Sequence, residues 1–164
     1  MTPELHHPVP LDRISPAGLD VSIDASALEC QALADRMLIP AIRSFTCRFH
    51  LTRQGDSTVV AHGHLVASVV QTCVVSLDDF DATIEEKFQV RFVPAGEEDD
   101  DDDPESIDEI GYEGRIIDLG EAAAEQLGLA LDPYPRKPGA ALPEVSGEEE
   151  MNPFAALAAL RSKQ

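Results

Sequence analysis

The sequence predicts an α+β domain in which an antiparallel β meander of three or more strands packs against two main helices. Two observations carry this prediction. Most of residues 45–92 alternate apolar and polar side chains with the period of two that is typical of strands. The segments that precede residue 45 and follow residue 92 carry capping residues followed by apolar residues at helical spacing. A partly closed barrel would satisfy the same pattern and stays open as an alternative.

The first helix is expected to run from Ala27 to about Leu38. Ser26 and Glu29 have the spacing of a capping box, in which each side chain accepts a hydrogen bond from the backbone of the other. Pro40 ends the run, because the residue before a proline disfavours the helical conformation. We expect the buried side of this helix to be supplied by Leu28, Cys30, Ala32, Leu33 and Met37.

Two long strands are expected to form a hairpin around a loop at residues 54–56. Apolar residues occupy the odd positions of 45–51 and the less polar residues the odd positions of 59–65. Because both sets must share one face, the numbers of paired residues must sum to an even value. A loop at 54–56 pairs Arg53 with Ser57 and Arg48 with His62. The outer face would then carry Arg48, His50, His62 and His64 together.

The second strand is expected to continue to Val75, since both parities become apolar there, as in a strand buried on two faces. Several aspartates, Asp78, Asp79 and Asp81, predict a chain reversal around Phe80. A third strand follows and ends at Pro94. Its apolar face is Ile84, Phe88, Val90 and Phe92.

Charge is unevenly distributed in this chain of 164 residues, whose formal net charge is −19. Residues 1–94 hold 12 acids and 7 bases, net −5, whereas residues 95–164 hold 19 acids and 5 bases, net −14. Seven successive carboxylates at 97–103 repel one another, so residues 95–109 are expected to form a mobile loop. The charge argues against nonspecific nucleic-acid binding by the chain as a whole, because phosphate contacts depend on Lys and Arg.

The second helix is expected from Leu119 to about Leu129, with a second capping box at 118–121. Prolines within 133–138 then hold the chain extended. Residues 1–138 are therefore predicted to form a single domain that includes the acidic loop, followed by a linker at 139–150. Residues 151–164 are predicted to form a short amphipathic helix, which is marginal in water unless it docks or folds on a partner.

The three cysteines, Cys30, Cys47 and Cys73, are widely spaced and form no C-x-x-C pair, which excludes a disulfide scaffold and favours a reducing compartment. We expect Cys73 to be a small buried hydrophobe rather than a nucleophile. The first ten residues do not resemble a signal peptide, and no apolar run approaches the roughly 20 residues of a membrane span. The expected protein is soluble and cytoplasmic, without a membrane partner.

A metal site is one interpretation of His50, His62 and His64, which share the predicted outer face. No carboxylate or thiolate completes this set, and zinc sites usually have three protein ligands or more, so a solvated surface is preferred. The sequence also lacks a Gly-rich phosphate loop, a nucleophile elbow and an H-E-x-x-H motif. We expect no catalytic residues, no metal and no cofactor, and a His-based metal-dependent enzyme is the less favoured alternative.

Four segments occur in a characteristic order: Val69–Leu77, Phe88–Pro94, then after an acidic gap Ile117–Glu121, and Leu127–Pro135. Together they resemble the YceD family, the large ribosomal RNA subunit accumulation proteins, over about residues 9–138. The family commonly has C-x-x-C-L where this chain has Cys73-Val74-Val75-Ser76-Leu77, and many members have further cysteines after the proline segment, where this chain has none. One remaining thiolate cannot hold structural zinc, so we predict no bound metal.

The resemblance implies a noncatalytic factor in the synthesis, processing or stability of large-subunit ribosomal RNA. In one route the protein contacts this RNA directly, through Arg43, Arg48, Arg53, His62, His64 and Arg91. In a second route, which the net charge favours, the acidic half binds a basic ribosomal protein or a ribosome assembly factor. The contacts would then come from Asp99, Asp100, Asp101, Asp102, Asp103, Phe154, Leu157 and Leu160. The alternative is an acidic protein-interaction module unrelated to ribosomes.

Overall fold

A computed structural model describes residues 3–99 and 103–142. The predicted helix at 151–164 and most of the predicted linker lie outside these ranges. The elements in chain order are β1 (Pro8–Pro10), a 3-10 turn (Leu11–Arg13), β2 (Leu19–Asp24), α1 (Ala27–Met37), β3 (Ala41–Gln54), β4 (Thr58–Thr72), β5 (Asp79–Pro94), β6 (Asp108–Tyr112), β7 (Ile116–Asp118) and α2 (Leu119–Ala130).

The main sheet has five strands in the order β2-β3-β4-β5-β6, and β1 pairs with β7 in a separate small sheet. All neighbouring strands are antiparallel except β5 and β6, which are parallel. The α+β class and the antiparallel meander are therefore confirmed. Over the described residues, the sheet does not close into a barrel. In the same part of the chain, neither helix has the length and apolar character needed to cross a membrane.

Helix α1 forms where its capping residues predict it. The Ser26 hydroxyl accepts a hydrogen bond from the backbone of Glu29, and the Glu29 carboxylate accepts one from the backbone of Ser26. The prediction that Leu28 faces the core is wrong, because its side chain is 79% exposed. Residues two positions apart do not share a helix face, and the buried stripe includes Cys30 and Leu33.

The β3–β4 hairpin has the predicted parity, but its register differs by two residues. Arg48 lies opposite His64 rather than His62, and Gln54 lies opposite Thr58, so the turn is at residues 55–57. A shift of two residues keeps every side chain on its face of the sheet. The alternation of apolar and polar residues therefore cannot distinguish between the two registers. Gly55 has a φ of 68°, which a glycine adopts without steric cost.

The predicted reversal around Phe80 is also displaced. Strand β4 ends at Thr72 rather than Val75, and β5 already begins at Asp79, so Phe80 is paired with Gln71 inside the sheet. The Thr72 hydroxyl donates a hydrogen bond of 2.7 Å to the Asp79 carboxylate, which gives this aspartate a partner at the end of the ladder. The turn consists of residues 73–78.

Strand β6 occupies the last residues of the predicted acidic loop. Asp108 and Glu109 pair with Val90 and Arg91 of β5, so the segment between the strands ends two residues earlier than predicted. The side chain of Glu109 is only 12% exposed and accepts a hydrogen bond from Arg91 at 3.1 Å. The run of acids conceals this strand in the sequence, because only Ile110 and Tyr112 carry its apolar signal.

Helix α2 begins at the predicted position but only half of its capping box forms. The Asp118 carboxylate accepts hydrogen bonds from the backbones of Gly120 and Glu121. The Glu121 side chain pairs instead with Arg36 of α1, at 2.9 Å. Helix α1 packs on β3, and α2 packs on β1, β4 and β5. The resulting core includes Phe45, Leu51, Leu65, Phe92, Leu119 and Leu127.

Candidate functional site

The outer face of the sheet, on which the even-numbered residues of β2, β3 and β4 lie, carries cationic and histidine side chains in adjacent rows. Strand pairing places Ser22, Arg48, His64 and Lys87 in one row and Asp20, His50, His62 and Gln89 in the next. The prediction that Arg48, His50, His62 and His64 share a face is therefore confirmed, although their row partners differ from those expected.

All residues of these two rows except Gln89 line a concavity of about 710 Å³. Its volume is in the range of ligand-binding clefts, about 300–1,000 Å³. The row between these two completes the lining of the concavity, and it includes Gly63 of β4 and Phe88 of β5. The outer-face residues that line it are Asp20, Ser22, Arg48, His50, His62, His64 and Lys87. We call this surface the cationic concavity.

Two of the histidines that line the cationic concavity are paired with carboxylates. His50 Nδ1 lies 2.6 Å from Asp20 Oδ1, and His64 Nε2 lies 2.7 Å from Glu85 Oε1. Both carboxylates are mostly exposed, Asp20 by 86% and Glu85 by 64%, so these pairs contribute little to stability. Each pair nevertheless gives one acid of this surface a partner.

The other basic side chains of the concavity have no acid partner among the described residues. Within residues 3–99 and 103–142, Arg48, His62 and Lys87 form no ion pair. All three are exposed. In a chain with a net charge of −19, this is a local surface where an anion meets two cationic side chains, Arg48 and Lys87, that form no ion pair among the described residues.

Three of the arginines predicted to contact RNA lie elsewhere and have acid partners. Arg43 is near the start of β3 and pairs with Asp81 at 2.7 Å. Arg53 is beside the β3–β4 turn and pairs with Asp56 at 3.0 Å. Arg91 pairs with Glu109 on β6. The structure thus brings Arg48, His62 and His64 together but separates them from Arg43, Arg53 and Arg91, none of which lines the concavity.

Lys87 lines the concavity although it is not among the residues predicted to contact RNA. It lies directly opposite His64 and is exposed on the outer face. A signal was available, because Lys87 alternates with the apolar positions Ile84, Phe88 and Val90 once the strand is recognised. The β4–β5 register, which alternation does not fix, was required to place it beside His64.

An acidic surface lies around the start of β6. Glu98, Asp99, Asp108, Glu109 and Glu125 line a depression of about 390 Å³ there. A hydrogen bond from the Asp99 backbone, with Arg91 as a second donor, holds the pKa of Glu109 below its usual value. Burial raises the pKa of Glu125, and the charge of Glu121 adds to this. We call these five residues the acidic patch.

Only part of the predicted protein-contact set can be placed. Asp99 and Asp103 are exposed, as a contact role requires. Asp100, Asp101, Asp102, Phe154, Leu157 and Leu160 lie outside the described residues.

Cys73 is fully buried in the turn after β4, as predicted. Its surroundings are nevertheless more polar than the apolar sequence around it indicates. Hydrogen bonds from the Ser76 side chain and from the backbones of Ser76 and Lys137 lower the pKa of this thiol to about 6, although burial opposes the shift. By contrast, burial raises the pKa of Cys47 to about 12.

The proline segment packs beside this turn and supplies the Lys137 contact to Cys73. The Val74 backbone donates a hydrogen bond of 2.9 Å to the carbonyl of Pro135. The two places where the family pattern carries cysteines are therefore neighbours here. In the part of the chain that is described, no group of three or more His, Cys, Asp or Glu side chains is arranged to hold a metal ion.

A family model described as "Large ribosomal RNA subunit accumulation protein YceD" matches residues 61–161. The match covers more than half of the chain and includes β5, β6, β7 and α2. Neither the search of curated proteins nor the search of solved structures found a match.

Proposed function

As the chain belongs to the YceD family of large ribosomal RNA subunit accumulation proteins, we propose that it is a noncatalytic adaptor in the assembly of the large ribosomal subunit. The match over residues 61–161 is the observation that carries this proposal. An adaptor joins components without changing them, so it requires contact surfaces rather than reacting groups. The acidic patch and the cationic concavity are two such surfaces.

The arrangement of the histidines supports a noncatalytic role. His50 and His64 each pair with a different, mostly exposed carboxylate, an arrangement typical of surface ion pairs. Exposed groups in water lack the shielded setting in which enzymes tune proton donors and acceptors. The family description also refers to the accumulation of an RNA rather than to a reaction.

The charge distribution supports a basic protein partner in the assembling particle. Residues 95–164 carry a net charge of −14, and Asp99, Asp103 and Asp108, which precede or begin β6 in the sequence, are exposed. Complementary charge accelerates encounter and selects partners, so a basic ribosomal protein or a basic assembly factor fits this surface. Phe154, Leu157 and Leu160, which the sequence places on or near one stripe of the predicted helix, remain proposed additional contacts.

Two variants with the same change in net charge test this proposal. In the first, Asp99→Asn, Asp103→Asn and Asp108→Asn remove three exposed acids beside β6. In the control, Asp24→Asn, Asp35→Asn and Glu86→Gln remove three exposed acids on β2, α1 and β5. Each full-length variant is tagged and purified from growing cells, and the recovered ribosomal proteins and assembly factors are quantified.

We expect the first variant to lose most of the recovered basic proteins and the control to keep them. Equal recovery with both variants and the wild type would contradict a role for the surface beside β6. Equal loss with both variants would contradict a local contact and indicate dependence on net charge alone.

A further inference from the structure

We propose that the cationic concavity binds phosphate groups of an RNA strand, through Arg48, His62 and Lys87. Free phosphate offers the same chemistry, and the choice of RNA rests on the proposed function. The inference goes beyond the adaptor role, because it assigns one surface of the adaptor to the RNA itself.

The three proposed contact residues lie on three neighbouring strands of the sheet. Arg48 and Lys87 lie on β3 and β5, on either side of His64 in the same row, so their backbones are two strand spacings, roughly 10 Å, apart. His62 lies in the neighbouring row on β4. All three side chains belong to residues that line the concavity.

Two acids near these side chains each have a histidine partner. Asp20 lines the concavity and Glu85 lies in the adjoining row, and each is bonded to a histidine ring nitrogen. Each of these carboxylates has a histidine at hydrogen-bonding distance, whereas Arg48 and Lys87 have no ion-pair partner among the described residues. The surface therefore presents two cationic side chains that form no ion pair in the described structure, together with two carboxylates that each pair with a histidine.

The kind of side chain indicates which part of an RNA strand is bound. Arg, Lys and His donate to phosphate oxygens, and such contacts position a strand without reading its sequence. The long-range charge of the protein opposes nucleic acid, so attraction must come from these short-range contacts. We therefore expect modest affinity that falls steeply with salt and depends little on base sequence.

The test uses the full chain and a fluorescein-labelled single-stranded RNA of mixed sequence, about 12 nucleotides long, within the usual site size of such surfaces. Binding is followed by fluorescence anisotropy at about 50 mM and 200 mM salt. Arg48→Glu and Lys87→Glu are expected to weaken binding about tenfold each, the value of one charge-assisted contact. Thermal unfolding checks that each variant is folded, and Arg48→Gln and Lys87→Gln provide milder versions.

Arg43→Glu is the matched control, because it makes the same charge change on the same strand. Arg43 lies outside the concavity and is paired with Asp81. Its substitution should weaken binding much less than Arg48→Glu. An equal effect of the two substitutions would overturn the site.

Two further outcomes would also overturn the proposal. One is the absence of RNA binding at the lower salt concentration. The other is binding of inorganic phosphate or a nucleoside diphosphate, measured by calorimetry, without binding of RNA, which would assign the concavity to a small ligand. Failure of the site leaves the adaptor role standing if loss of the protein still lowers large-subunit RNA.

Discussion

The ring of Phe88 occupies the space that a side chain on Gly63 would need. The two residues lie opposite each other on β5 and β4, and a Cβ on Gly63 would lie 2.1 Å from Cζ of the ring. The Phe88 ring also makes an edge-to-face contact with Phe49, with centroids 5.7 Å apart. Gly63 and Phe88 lie in the row between the two outer-face rows of the cationic concavity, and their close packing holds this row in place.

Gly63→Ala should destabilise the protein by about 1–3 kcal/mol, because the ring has to move out of its packed position. Denaturant unfolding measures the change in free energy. Gly128→Ala is the control: its Cβ would lie 4.0 Å from Met37, within α2, where alanine is favoured by up to about 1 kcal/mol. Equal stability of Gly63→Ala and the wild type would show that the Phe88 packing is wrong.

Asp118→Ala should cost about 1–2 kcal/mol of stability, since the carboxylate caps α2. It accepts from the backbones of Gly120 and Glu121 and also from that of His7. Ser26→Ala, which removes the cap of α1, should cost less, because the Ser26 hydroxyl accepts one backbone hydrogen bond. Chemical denaturation of both variants gives the order, and a larger loss for Ser26→Ala would contradict it.

The lowered pKa of the buried Cys73 thiol should make stability depend on pH. The pKa of Cys73 is lowered to about 6 in the folded chain. At pH values between about 6 and the ordinary pKa of a thiol, the folded chain has therefore released a proton that the unfolded chain still binds. The free energy of unfolding should therefore rise as pH increases from about 6 to 8, and the gain should disappear as pH falls through about 6.

Cys73→Ser should remove this part of the pH dependence, as measured by urea unfolding at several pH values. Cys47→Ala is the control. The folded thiol of Cys47 has its pKa raised to about 12 and does not titrate in this window, so its removal should lower stability without altering the slope. An unchanged slope in Cys73→Ser would show that the thiol is protonated at neutral pH.

Arg36 joins three parts of the structure, and its planar side chain is suited to this. Its guanidinium donates to Glu4 and to Glu121, both at 2.9 Å. Arg36→Lys keeps the charge but loses the planar guanidinium that donates to two carboxylates at once. Because Arg36 is partly exposed, this substitution should lower the free energy of unfolding by only about 1 kcal/mol. Arg43→Lys, at the more exposed pair with Asp81, should cost less in the same unfolding assay. Equal costs would contradict a bridging role for Arg36.

The parts of the fold set by local signals could be predicted from the sequence. The capping box at Ser26 and Glu29 predicts the start of α1, and alternation from Phe45 onward predicts which residues of β3 and β4 share a face. Register could not be predicted, because a shift by two residues preserves that alternation. The true row partner of Arg48 therefore came only from the structure.

Features that depend on distant parts of the chain could not be predicted. The parallel strand β6 begins within a run of acids, and Glu109 is accommodated there by Arg91 from β5. The pKa of Cys73 depends partly on Lys137, which is far away in sequence. Lys87 of the candidate site was within reach, but its position beside His64 required the β4–β5 register.

The account is tested most directly by the amount of large-subunit ribosomal RNA, relative to small-subunit RNA, in cells depleted of this protein. The account predicts that depletion lowers this ratio. It also predicts that the wild-type chain restores the ratio, and that a chain with Asp99→Asn, Asp103→Asn and Asp108→Asn restores it only in part. An unchanged ratio after depletion would contradict the account.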